Sequence, residues 1–116
     1  PGGGWKGTDK NMMLGEMTEF ANAGYVVASI YYRSSAQGHY PNQLIDVKTA
    51  IRFLRAHAAE FEINPEKIGI FGRSAGAHLS AAAAMIRMVL TVRNGAAIPL
   101  RFRHAAICSD RLISRR

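Results

Sequence analysis

The sequence predicts an α/β fold: a parallel sheet with flanking helices. Three observations carry this. Short β-branched and aromatic runs alternate with amphipathic stretches long enough for helices. The runs show little polar alternation, as strands buried on both faces do. Segments rich in glycine, proline and asparagine separate the elements.

Taken in order, "PGGGW" at residues 1–5 is a glycine-rich loop. Thr8 or Asp9 is placed to cap a helix carrying Met12, Met13, Met17, Phe20 and Ala21 on one face, and Gly24 is its stop. "YVVASIYY", residues 25–32, reads as a buried strand, and "RSSAQGHYPN" as a loop. A helix is expected over about residues 41–61, because Leu44, Val47, Ile51, Leu54 and Ala58 recur every three or four positions. Asn64-Pro65 breaks it, and residues 68–71 form a short apolar strand before an alanine-rich helix. "HAAICSD", residues 104–110, is a candidate for one more strand.

Apolar residues make up 48% and charged residues 20% of the 116 positions, which excludes a disordered chain. No apolar run approaches the roughly 20 residues that span a bilayer. The net charge of +7 would suggest a nucleic-acid partner, but its placement argues against one. Residues 1–86 hold eight Lys/Arg against seven Asp/Glu, whereas residues 87–116 hold seven arginines and one acid, Asp110. The division expected is an α/β part over residues 1–86 and an arginine-rich tail over 87–116, either non-native or one further strand. One cysteine, Cys108, excludes an internal disulfide and fits a reducing, cytoplasmic compartment. The chain opens on Pro1 and not on methionine, so a piece of a longer protein is expected and secretion stays open.

Chemistry concentrates in "GRSAG", residues 72–76, a G-x-S-x-G between an apolar strand and a helix. A serine lifted off a sheet edge needs a tight turn, and the residues two before and two after it, Gly72 and Gly76, then meet neighbouring backbone. The turn also aims the next helix's first amides at the Ser74 hydroxyl, where they can hold a developing oxyanion. One donor is expected from Ala75. Another is expected from the Gly2, Gly3 and Gly4 loop, which stands about 70 residues earlier with one strand and two helices between.

These residues resemble a family. "GGGW", "KGTDK", "GYVVASIYYR", "YPNQLIDVKTAIRFLRAHA" and "INPEKIGIFGRSAGAHLSA" are similar to α/β-hydrolases of the esterase/lipase group with a His-Gly-Gly-Gly-Trp loop, including feruloyl- and acetyl-xylan-esterase-like carboxylesterases. The resemblance implies Ser74 as nucleophile, backbone amides of Ala75 and Gly2 to Gly4 as oxyanion donors, and a small-molecule ester as substrate. It implies no cofactor and no metal. It also aligns Arg33 and Asp46 with an arginine after the strand and an acid on the next helix, expected to pair with each other. His78 is expected to pack and not to act as base. Pro1 stands where the family has histidine, and Ala77 replaces a common glycine.

The triad is the larger departure. In this fold the order is serine, acid, histidine. After Ser74 there remain only His78, His104 and Asp110, and Asp110 follows both histidines. His39 and His57 read as surface residues. The expectation is a partial serine hydrolase, inactive by itself, that self-associates through exposed sheet edges. Two alternatives stay open: a non-catalytic binding protein that keeps the cleft, and a fragment of a prolyl-oligopeptidase-like peptidase.

Overall fold

The computed structural model describes residues 1–7, 9–86 and the backbone of residues 111–115. The elements are α1 (Leu14–Asn22), β1 (Tyr25–Ala28), α2 (Asn42–Ala56), β2 (Ile68–Phe71), α3 (Ala75–Met85) and β3 (Arg111–Arg115). The 68–71 strand and the helix after Ser74 stand where the sequence puts them.

Three elements are shorter than expected. The first helix begins at Leu14 with Met13 at its N-cap and no side-chain cap; the Asp9 carboxylate accepts the Asn11 amide at 2.8 Å in a turn of its own, and Thr8 lies outside the described residues. Strand β1 stops at Ala28, and its residues are half-buried, not buried on both faces. Helix α2 ends at Ala56; His57 to Glu62 continue as turns, and Glu62 has a φ of 52°, outside helical space.

The sheet also differs from the expected parallel one. Its order is β1-β3-β2, with β3 antiparallel to both neighbours. Strands β1 and β2 therefore run in the same direction but do not pair with each other. The gap between them leaves two rows of backbone donors and acceptors facing inward, and a single strand satisfies both rows. It comes from the arginine-rich tail, whose "RLISR" carries too much charge to read as a buried strand. Residues 104–110 lie outside the described residues.

Strand alternation then sorts the two faces. Val26, Ala28, Ile68 and Ile70 join one core with Leu44, Val47 and Ile51 of α2 and Leu79 and Ala83 of α3. On the other face Phe20 of α1 meets Tyr25 at 6.0 Å and Phe71 at 5.2 Å between ring centroids. Helices thus cover both faces. Of the expected stripe, Leu44, Val47 and Ile51 are buried on α2, Leu54 is half-buried, and Ala58 packs half-buried from the turn after the helix. Beside this stripe lies Lys48, fully buried, whose ammonium donates to the Ile86 carbonyl at the end of α3. Burial, and then the nearby Arg52 charge, push the Lys48 pKa below its ordinary value.

Candidate active site

The turn from β2 to α3 has the geometry its residues require. Ser74 sits at φ 54°, ψ −118°, a backbone conformation that non-glycine residues rarely occupy, and it is the N-cap of α3 with its side chain exposed. A Cβ on Gly72 would lie 2.0 Å from the Gly76 carbonyl carbon and 2.5 Å from the Ala77 nitrogen. No side chain fits there. Below the turn, Gly76 N–H donates to Arg73 O at 2.9 Å and His78 N–H to Ser74 O at 3.1 Å. Ala75, as the first residue of α3, has an amide with no intrahelical carbonyl to reach.

The glycine loop lies directly against this turn. A Cβ on Gly2 would come 3.0 Å from Arg73 O and 3.5 Å from the Ser74 Cβ, so the loop passes the elbow with little room for a side chain between them. Pro1 and Gly2 are buried. The loop then turns sharply: Gly3 has φ 125°, Gly4 φ 57°, and a Cβ on Gly3 would sit 2.0 Å from Gly7 O. Lys6 N–H closes the turn on Gly3 O at 3.0 Å.

Two anchors of this loop were not legible in the sequence. The buried Tyr32 hydroxyl donates to Pro1 O at 2.7 Å. The Ser35 N–H donates to Trp5 O at 2.5 Å. Both come from the segment after β1, which read only as strand end and loop; an aromatic with a hydroxyl at position 32 was the one available signal.

Arg33 and Asp46 pair as expected. Arg33 Nη2 reaches Asp46 Oδ1 at 2.8 Å, Nε reaches Oδ2 at 2.9 Å, and the Arg33 backbone N–H reaches Oδ2 at 2.9 Å. Partial burial opposes the Asp46 charge, yet these bonds from Arg33 outweigh it and hold the carboxyl below its ordinary range. The pair fixes the exit of β1 to the start of α2, and so positions Tyr32 beneath the loop. A second pair, Arg73 Nη2 to Glu16 Oε1 at 3.1 Å, ties the elbow to α1 across exposed surface.

His78 does not face the Ser74 hydroxyl through any hydrogen bond. It lies exposed on α3, edge-on to Trp5 at 5.5 Å and 6.3 Å from the Tyr40 ring. His57 stacks on Phe53 at 4.1 Å and bonds the Phe53 carbonyl through Nδ1 at 2.8 Å, far along α2 from the elbow. His39 is exposed in the loop before α2. Among the described residues, no hydrogen bond joins the Ser74 hydroxyl to a histidine or a carboxylate. His104 and Asp110 lie outside the described residues. No group of three or more His, Cys, Asp or Glu among the described residues could hold a metal ion, and no described helix is long and apolar enough to cross a membrane.

The sequence is similar to known proteins. A family model, BD-FAE, matches residues 1–99 and so reaches into the arginine-rich tail. The chain is 38% identical over 86 residues to the probable carboxylic ester hydrolase LipM of Mycobacterium tuberculosis, covering 73% of this chain and 20% of that protein. It is 37% identical over 86 residues to the esterase LipQ of the same organism, again 73% and 20%. Against the acetyl esterase of Salmonella paratyphi B it is 39% identical over 62 residues, 53% of this chain and 19% of that one. The chain therefore spans about a fifth of the length of the curated relatives it matches.

Proposed function

From the premise that this chain belongs to the BD-FAE family of esterase-like α/β-hydrolases, we propose that it carries the nucleophile and oxyanion half of a serine carboxylesterase. The observation that supports this reading is the close approach of Gly2 to the Arg73 carbonyl and the Ser74 Cβ, beside one serine in a strained turn.

In this reading the Ser74 Oγ attacks the carbonyl carbon of an ester as its proton passes to a base. The carbonyl oxygen becomes an oxyanion that the Ala75 amide and the amides of the Gly2 to Gly4 loop stabilise. Collapse of the tetrahedral intermediate breaks the bond to the alcohol oxygen, which leaves with a proton. Water then attacks the acyl-Ser74 ester, releases the acid and restores the hydroxyl. The base and the acid that orients it belong to a part of the parent protein beyond residues 1–86. Without them the hydroxyl stays protonated at neutral pH and reacts slowly. The chain is thus a partial hydrolase, slow by itself. The small-molecule ester substrate and self-association through sheet edges belong to the same proposal.

The test is to label this chain with a fluorophosphonate probe, with and without added imidazole as a surrogate base, and to map the adduct by peptide mass spectrometry. The expected result is one adduct on Ser74, formed faster as imidazole rises and absent from Ser74→Ala. No adduct, or adducts spread evenly over other serines, would favour the non-catalytic binding protein.

A further inference from the structure

Beneath both halves of the candidate site lies a cavity of about 30 Å³. Its walls come from Pro1 at the root of the glycine loop, the segment ending at Tyr32, strand β2, and Gly76 and Ser80 of α3. Most of these residues are buried, so the space is an interior one. A single water needs on the order of 10–15 Å³ of such room, whereas sites for organic ligands begin near about 300 Å³. The cavity therefore fits water and excludes an organic ligand.

Volume alone does not fill a cavity, because apolar ones stay dry. The polar lining decides. Ser80 is 6% exposed and lines this space from α3. Serine and threonine inside a helix can return their hydroxyl to the carbonyl four residues earlier. Thr18 and Thr49 do so, each at 2.8 Å. The Ser80 hydroxyl makes no hydrogen bond among the described residues. A buried hydroxyl left in that state destabilises the fold.

Two further residues bring polar atoms to the lining. The buried Tyr32 hydroxyl donates to Pro1 O at 2.7 Å, and a phenol oxygen that donates can also accept. Ile30 lies outside the strands, and its backbone N–H and C=O make no hydrogen bond among the described residues. Internal waters make roughly two to four hydrogen bonds, and these groups supply that number.

We propose that this cavity holds one internal water that accepts from the Ser80 hydroxyl and donates to the Tyr32 oxygen, its second proton going to the Ile30 carbonyl. The water joins α3, the helix that Ser74 caps, to the root of the glycine loop through Tyr32 and Pro1 O. Ser80 is thus a positioning residue and touches no substrate. The water site stands whether or not Ser74 is the nucleophile; its effect on labelling rests on that reading.

Oxygen-17 magnetic relaxation dispersion counts waters held inside a protein and is unaffected by proton exchange with hydroxyl groups. The experiment compares this chain with Ser80→Val, whose methyl groups fill the space and offer no hydroxyl. One internal water fewer is expected in Ser80→Val, with far-UV circular dichroism unchanged. Equal counts in the two folded chains would overturn the proposal. Should Ser80→Val not fold, Ser80→Cys decides: it keeps the side-chain shape, but its thiol bonds water weakly. Its urea midpoint is expected to fall, and a midpoint unchanged or raised would overturn the proposal equally. In either folded variant, phosphonate labelling of Ser74 is expected to slow about two- to fivefold. Unchanged labelling after loss of the water would overturn the joint between helix and loop. No labelling in the parent chain would sink the nucleophile alone and leave the water in place.

Discussion

The two halves of the candidate site hold their shapes by different means. The elbow, residues 72–76, is shaped by its own backbone: Gly72 and Gly76 pass so close that a Cβ on the first would be 2.0 Å from the second. The loop, residues 1–7, is shaped by partners elsewhere in the chain, Tyr32 beneath Pro1 and Ser35 against Trp5. One half is a local solution to a steric problem; the other is held by long-range hydrogen bonds. The elbow should therefore fail through glycine substitutions and the loop through loss of remote anchors.

The largest effect belongs to Gly72→Ala. The added methyl meets backbone with no flexible side chain to yield, so a loss of about 3 kcal/mol or more is expected in urea unfolding, with labelling of Ser74 abolished. Gly3→Ala comes next. Its Cβ would strike Gly7 O at 2.0 Å from a φ of 125°, but the loop is exposed and can shift. A cost of about 1–3 kcal/mol is expected, with slower labelling at unchanged far-UV circular dichroism. Gly4→Ala sharpens the contrast, since open space surrounds it and only the left-handed φ of 57° costs, about 1 kcal/mol.

Tyr32→Phe removes the hydroxyl beneath Pro1 and keeps the ring in the core. A loss of about 1 kcal/mol is expected by denaturant midpoint, and labelling should slow more than stability alone explains. Equal labelling in this variant would show that the loop does not depend on its anchor.

The smallest effect is on pH dependence. Asp46 has a folded pKa below its ordinary value, so its contribution is present above the unfolded carboxylate pKa, about 3.9, and is lost as pH falls through the depressed folded value. Asp46→Asn should lower the melting temperature at neutral pH and flatten its fall below about pH 4. An acid limb unchanged from the parent chain would remove the pair from the account.

The same contrast explains what the sequence made legible. Strand β2 and the turn at Ser74 could be read because local sterics dictate them: an apolar run, then glycines on either side of the serine, the first with no room for a Cβ. The Arg33–Asp46 pair was reachable through the family resemblance. Tyr32 as an anchor and the meeting of Trp5 and Tyr40 at the His78 ring were not, because each depends on contacts between segments some 30 or more residues apart. A further strand in the tail was one reading, but its place at residues 111–115 was not legible, because backbone pairing with two neighbours outweighs the poor strand propensity of "RLISR". Helix α2 was drawn too long because the apolar period continues through Ala58 and Phe61, which still face the core from turns.

The most direct test of the central claim is to trap the acyl group itself. The chain would be incubated with phenyl acetate at neutral pH with imidazole present, quenched in acid and mapped by peptide mass spectrometry. The account predicts acetyl on Ser74, lost in Ser74→Ala and much reduced in Gly3→Ala. Acetyl groups scattered over lysines and other serines, with none enriched at Ser74, would contradict it.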